Sequence, residues 1–151
     1  MTRQIWIETV RHAIDEFSGT DGPLLPVLHR IQDTMGYVPP EALQQIADAL
    51  GVTRAEVHGV VSFYHGFRNA PPADHIVKIC RAEACQARGA QALVDGARIK
   101  PGETAANGKV QVEEVFCLGL CACGPAVLVD GQPVGRLDAQ RLNDILVECG
   151  A

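Results

Sequence analysis

The spacing of the cysteines constrains this chain more than any other feature. Cys80 and Cys85 frame a C-x4-C loop, Cys117 and Cys121 frame a C-x3-C loop, and each pair follows a stretch that reads as a β-strand. The first stretch is His75-Ile76-Val77-Lys78-Ile79 and the second runs from Lys109 to Phe116. If those strands are neighbours in one sheet, four thiolates gather at one edge of it. Six cysteines in 151 residues is about 4%, under the roughly 8–10% of a short disulfide scaffold. Cysteine is therefore not the general staple of the fold, and its placement carries the information.

The chain is 47% hydrophobic and 21% charged, with a formal net charge of -5. That composition suits a chain with a buried core and argues against intrinsic disorder. An acidic balance with few aromatics gives no electrostatic footprint for nucleic acid. The first residues lack an uncharged apolar core of signal-peptide type, and no run approaches the roughly 18 apolar residues of a membrane span. The expectation is a cytoplasmic protein, in a compartment where thiols stay reduced and cysteine patterns point to metal binding or catalysis.

The sequence divides near residue 70, which predicts two domains, 1–72 and 73–151. In the first, apolar residues recur at helical spacing in Ile7, Val10, Ile14 and Phe17. A second helix is expected from Pro23 to Gly36, a third from Pro40-Glu41 to Gly51, and a fourth through Val57, Val60, Val61 and Tyr64 after the capping-box pattern Thr53-Arg54-Ala55-Glu56. This half reads as a small helical bundle. The Pro-rich segment 69–74 then gives way to strands at 75–79, 109–116, 126–129 and 133–137, the last two joined by the hairpin signal Asp130-Gly131. A helix is expected over about 86–96 and another from Asp138 with Leu142, Ile145 and Leu146 inward. Strand, helix, strand, strand, strand, helix makes an α/β module, for which a thioredoxin-like arrangement is one economical solution.

Several chemistries compete for the four thiols. Disulfides fit poorly with a reducing compartment. Structural zinc closes a tetrahedral site with four cysteines, but its knuckles are short and often stabilise chains without a core, which this module has. A [2Fe-2S] cluster needs four thiolates over a span wider than one ion, which the longer loops suit. Gly119 leaves the second loop free to turn backbone N–H groups toward sulfur. Thiol-disulfide exchange of the thioredoxin type needs C-x-x-C at a helix start, and no such pair occurs.

Cys80-x4-Cys85, Cys117-Leu118-Gly119-Leu120-Cys121, the helical first half and Ser62-Phe63-Tyr64 at the end of its last helix together resemble the thioredoxin-like [2Fe-2S] subunit that accompanies the flavin subunit of NADH dehydrogenase-type complexes. The resemblance spans nearly the whole chain. It implies an N-terminal helical bundle followed by a thioredoxin-like [2Fe-2S] ferredoxin module, with Cys80, Cys85, Cys117 and Cys121 as cluster ligands. Two segments, 54–65 and 80–86, look most like the gamma subunit of soluble NAD-dependent formate dehydrogenase. Equivalent subunits of respiratory NADH:quinone oxidoreductase and of NAD-linked hydrogenases are the alternatives, and a zinc-stabilised interaction module is the alternative of another class. The resemblance implies an electron-transfer subunit without a catalytic residue of its own. Formate would be oxidised at a molybdenum or tungsten cofactor in one partner, and NAD reduced at FMN in the flavin subunit. No nucleotide-binding glycine motif is present, so neither FMN nor NAD is expected on this chain.

Other residues carry weaker signals. Cys123 stands two positions past Cys121 and competes with it as the fourth ligand, the family spacing favouring Cys121. Cys149 is expected in the last helix as a spare thiol. His58 and His65 lie seven apart and read as surface or interface residues, and His12, His29 and His75 as ordinary ones. Phe63, Tyr64 and Phe67 suit either a docking patch for the flavin subunit or core packing. Arg81 and Glu83 are expected to face outward. Gly124-Pro125 occupies a place where thioredoxin-like folds carry a cis-proline.

Overall fold

The fourth helix starts where its sequence says it must. Thr53 Oγ1 accepts from the Glu56 N–H, and the Glu56 carboxylate in turn accepts from the Thr53 N–H at 2.7 Å, a reciprocal cap that fixes the first turn. In this computed structural model, which describes residues 3–151, that helix is α4 (Arg54–Phe63). It follows α1 (Arg3–Glu16), α2 (Leu24–Met35) and α3 (Ala42–Leu50). Gly36 and Gly51 end α2 and α3 with φ of 83° and 67°, the left-handed region that glycine enters at least cost. Val10, Leu28, Ile31, Leu43, Ile46 and Val57 from the four helices share one buried apolar cluster. After α4 the chain is strapped back to α2: Gln32 donates to the Gly66 carbonyl and accepts from the Arg68 N–H, both at 2.7 Å.

The chain separates into two compact units, Met1–Pro72 and Ala73–Ala151. The second is built on a four-stranded sheet of order β2-β1-β3-β4. Its strands are β1 (His75–Cys80), β2 (Val110–Val115), β3 (Ala126–Val129) and β4 (Gln132–Gly135). β1 and β2 run parallel, with His75 opposite Val110 and Cys80 opposite Val115, and β1 and β3 run antiparallel. Parallel neighbours need a long crossover, and here it carries α5 (Glu83–Gln86) and α6 (Ala90–Gly96). α7 (Ala139–Glu148) closes the chain, capped by the Asp138 carboxylate. Val77, Ile79, Val110, Val112 and Val127 form one core with Leu93 of α6 and Leu142 and Leu146 of α7. α6 and α7 approach closely at Gly96, where a Cβ would come within 2.6 Å of that of Ala139.

The hairpin between β3 and β4 turns on Asp130 and Gly131, both at positive φ as a two-residue turn of this kind requires. The Asp130 carboxylate also clamps the turn to the start of β1, accepting from the Ile76 N–H at 2.8 Å and meeting His75 Nδ1 at 2.8 Å. On the far side, residues 102–105 run along the outer edge of β2: Gly102 and Ala105 donate to the Val112 and Val110 carbonyls, and Val112 donates to Glu103. Among the described residues no helix is long and apolar enough to cross a membrane.

Four local expectations are corrected. The single helix expected over 86–96 is two short ones, because Gly89 at φ 96° breaks the crossover between α5 and α6. Tyr64 does not continue α4 but caps it in an extended conformation and is 46% exposed. Cys149 likewise caps α7 from outside. The fourth strand begins at Gln132 and stops at Gly135, where Arg136 takes a φ of 57°.

Two outcomes follow from these contacts. Burial pushes the Asp130 carboxyl up, but the hydrogen bonds from His75 and Ile76 outweigh it and hold the group below its ordinary value. A carboxylate lowered in the folded state contributes stability above its unfolded value of about 3.9 and loses it as pH falls through the folded one. Asp130→Asn, which tolerates the same left-handed backbone, should therefore lower the unfolding midpoint at neutral pH, with the difference shrinking at acid pH below about 4. Denaturant titrations of both proteins across that range check it. Separately, a Cβ on Gly135 would lie 2.7 Å from the Cys123 carbonyl oxygen and 2.8 Å from its Cβ. Neither atom is the end of a flexible chain, so Gly135→Ala should cost about 1–3 kcal/mol of stability, read as a lowered denaturant midpoint.

Candidate functional site

The register of the parallel pair sets the geometry. Cys80 is the last residue of β1 and lies opposite Val115, and the Arg81 N–H donates to the Val115 carbonyl at 2.7 Å, carrying the pairing one step further. Cys117 comes two residues past Val115. Both cysteine loops therefore leave the same end of adjacent strands.

Cys80 and Cys85 are each 2% exposed, in a small cluster with Ala90 and flanked by Ala82, Val115 and Leu118. α5 is one turn long and holds Cys85 by the N–H it donates to the Ala82 carbonyl at 2.9 Å. Burial pushes the Cys85 thiol up, the hydrogen bond and charge of Cys80 and the charge of Cys121 push it the same way, and a hydrogen bond with the Ala126 backbone opposes them. Cys85 is therefore held as a thiol and not as a thiolate. Cys117 and Cys121 are exposed. Gly119, at φ 72°, turns the short loop between them so that its own N–H donates to Cys117 Sγ at 3.3 Å. The sequence anticipated such a contact.

Cys121–Cys123 form a one-turn 3-10 helix. Its end is fastened to the sheet, since the Arg136 N–H donates to the Cys123 carbonyl at 2.6 Å and Cys123 Cβ lies against Gly135. Gly124, the next residue, lies where this loop meets the other one. A Cβ on Gly124 would come 3.2 Å from Cys85 Sγ, 3.3 Å from Arg88 Cδ and 3.5 Å from the Cys121 carbonyl. The absence of a side chain at this buried position lets the two loops close on one another, and Arg88 Nε donates to the Gly124 carbonyl at 2.8 Å. The peptide bond that follows, Gly124-Pro125, is cis.

Cys149 is apart from this group, half-buried against the core of the sheet, its thiol pushed up by burial and then by the charges of Asp130 and Glu148. His58 and His65 both line a concavity of the helical unit, among residues that include none of the cysteines. Phe67 packs on the helical core, whereas Phe63 and Tyr64 are exposed.

Two residues near the thiols escaped sequence reasoning. Arg81 does not face outward as expected: its side chain is 18% exposed, Nε lies 3.7 Å from Glu114 Oε1, and Nη1 is buried with no hydrogen-bond partner. The signal was nonlocal, because Glu114 sits on the partner strand, one register position from Cys80. Glu83 is exposed as expected. Phe116, read as the end of a strand, falls just outside β2 and is 72% exposed immediately before Cys117.

These residues fit an iron-sulfur group. The donors at the sheet end are all sulfur, a glycine stands where the loops come closest, and a backbone N–H already addresses one thiol. Four thiolates are the ligand set of a [2Fe-2S] cluster.

The family model for the thioredoxin-like [2Fe-2S] ferredoxin matches residues 10–150. The NADP-reducing hydrogenase subunit HndA of Solidesulfovibrio fructosivorans is 32% identical over 139 residues, covering 89% of this chain and 81% of that protein. An NADH-quinone oxidoreductase subunit of Aquifex aeolicus is 35% identical over 127 residues, 82% of this chain and 79% of that protein. Among solved structures, an NAD+-reducing [NiFe]-hydrogenase in the air-oxidized state superposes with a TM-score of 0.67 at 28% identity over 83% of this chain. This chain spans only 22% of that hydrogenase chain. With its fold, its two cysteine loops and these relatives, the chain belongs to the thioredoxin-like [2Fe-2S] ferredoxins, a family whose cofactor is a [2Fe-2S] cluster.

Proposed function

We propose that this chain is the electron-transfer subunit beside the flavin subunit of an NAD-dependent formate dehydrogenase, with its cluster on Cys80, Cys85, Cys117 and Cys121. The observation that carries the electron-transfer reading is the parallel register, which sends both cysteine loops out of the same sheet end. When bound, the cluster supplies a one-electron carrier, and the chain's own residues do the rest. Cys80 and Cys85 anchor the inner side in an apolar setting of Ala82, Ala90, Val115 and Leu118. Cys117 and Cys121 lie at the surface, so the site opens toward a partner on that side. The Gly119 N–H, donating to Cys117 Sγ, favours added negative charge on sulfur and so raises the reduction potential. Cys121 is preferred to Cys123 as the fourth ligand because its charge reaches Cys85, whereas the Cβ of Cys123 lies against Gly135.

The formate reading rests on the likeness of segments 54–65 and 80–86 to the gamma subunit of that enzyme. In that setting FMN and NAD belong to the flavin subunit and molybdenum or tungsten to the formate-oxidising one, and the overall reaction turns formate and NAD+ into CO2 and NADH. The hydrogenase and quinone oxidoreductase relatives, at 32% and 35% identity, favour a second reading, the equivalent subunit of one of those complexes. A cytoplasmic setting suits a chain whose six cysteines are all free.

Protein purified without oxygen should hold about two irons and two labile sulfides per chain and give an EPR signal on reduction. Cys117→Ser should lose or destabilise that signal and Cys149→Ser should keep it; full clusters in both variants would overturn the ligand set. Partners that co-purify with the tagged chain, assayed with formate, hydrogen and quinone, separate the formate complex from its relatives.

A further inference from the structure

We infer that the helical unit carries a docking groove for a segment of the flavin-bearing partner that presents carboxylates beside apolar side chains. The inference rests on the proposed function for the identity of that partner. The groove, about 600 Å³, is lined by the apolar Val38, Leu43, Val61 and Phe67 together with Arg54, His58 and His65. No aspartate or glutamate lines it, although acidic residues outnumber basic ones in the chain by 18 to 13. Arg54 and His58 stand one helical turn apart and so share a side of α4. Glu56, the acid nearest to them on that helix, is held in the capping box, where its Oε2 meets both the N–H and the hydroxyl of Thr53 at 2.7 Å. Among the described residues no ion pair engages Arg54, His58 or His65. The groove thus offers the unpaired charge of Arg54 beside two imidazoles in an otherwise acidic protein, a setting complementary to carboxylates.

A row of aromatic rings leads from the groove lining, which includes Phe67 and Tyr64, to Phe63 beside it. Phe67 is anchored against His29 with ring centres 4.9 Å apart, Tyr64 stands edge-on to Phe67, and Phe63 edge-on to Tyr64 at 5.3 Å. Phe63 is 74% exposed and Tyr64 46%. A phenylalanine so placed contributes little to the fold, and aromatic rings beside an arginine are the composition of an interface centre. The rings also decide between a polypeptide and a small anion. Arg54 with two histidines would serve either one, but Phe63, outside the groove lining, adds apolar surface that only a chain continuing past the groove covers.

The test uses the full chain carrying its cluster and measures its affinity for the flavin-bearing subunit by calorimetry. Arg54→Glu and Phe63→Ala should each weaken binding about tenfold or more, with the EPR signal and helical content unchanged. Arg98→Glu, at an exposed arginine of the other unit, should change it less than about twofold if attraction is local. Binding that ignores both groove variants, or falls equally with Arg98→Glu, overturns the inference and leaves the electron-transfer role standing. Sensitivity to Arg54→Glu and to competing inorganic phosphate, without sensitivity to Phe63→Ala, marks a small-anion site and overturns it too. A chain with its full cluster that does not bind the flavin-bearing subunit removes the partner itself, and the groove assignment with it.

Discussion

The parallel pairing of β1 with β2 fixes everything else in the second unit. Two strands side by side in the same direction cannot be joined by a tight turn, so the chain must leave the end of β1, cross over, and return to the start of β2. Cys80 sits at the point of departure and Cys85 in the first turn of that crossover, while Cys117 lies just past the end of β2. The pairing is held by burial. Val77 and Ile79 alternate with Lys78 on one strand, Val110 and Val112 with Gln111 on the other, and all four apolar residues are wholly buried. A slip of one residue would turn the valines of β2 away from the core and shift Cys117 relative to Cys80. The hydrophobic core thus enforces the register of the thiols.

The thiols are unequal in exposure, and the inequality is built from small residues. Ala82, Ala90 and Gly124 surround the inner pair. A larger residue at any of them competes for the space that sulfur occupies. The outer pair lies on a loop shaped by Gly119 and a 3-10 turn that ends against Gly135. One side of the site is therefore set by packing within the protein, and the other is open to whatever approaches.

Punctuation was the most legible part of the sequence. Gly36, Gly51, Thr53 with Glu56, Asp138 and Asp130-Gly131 each act through their own backbone or a neighbour within three residues, and each does in the structure what its type predicts. The neighbouring positions of the two cysteine loops were legible for a related reason, since the strands before them carried alternating patterns. What escaped notice depended on residues far apart in the chain. Arg81 is buried because β2 brings Glu114 beside it. Phe116 alternates correctly for a strand, yet the ladder ends at Val115, one residue earlier. Gly89 lies inside the stretch read as one helix, but the chain bends there before α6 lays Leu93 on the sheet. Cys123 was ambiguous by spacing alone, and its packing against Gly135 across the turn is a contact that spacing does not show.

The segment 102–105 along the outside of β2 has a bearing on how the sheet meets other molecules. An open strand edge is a row of unpaired N–H and C=O groups that can recruit a strand from another chain. Here Gly102, Glu103 and Ala105 occupy the ladder positions of β2. At the opposite margin β4 is four residues long and carries Pro133, which has no N–H to offer. With one margin covered and the other short and interrupted, the sheet is a poor template for strand addition, whether by a partner or by another copy of itself. Recognition is left to loops, caps and helix faces, while the strands serve to align the cysteines.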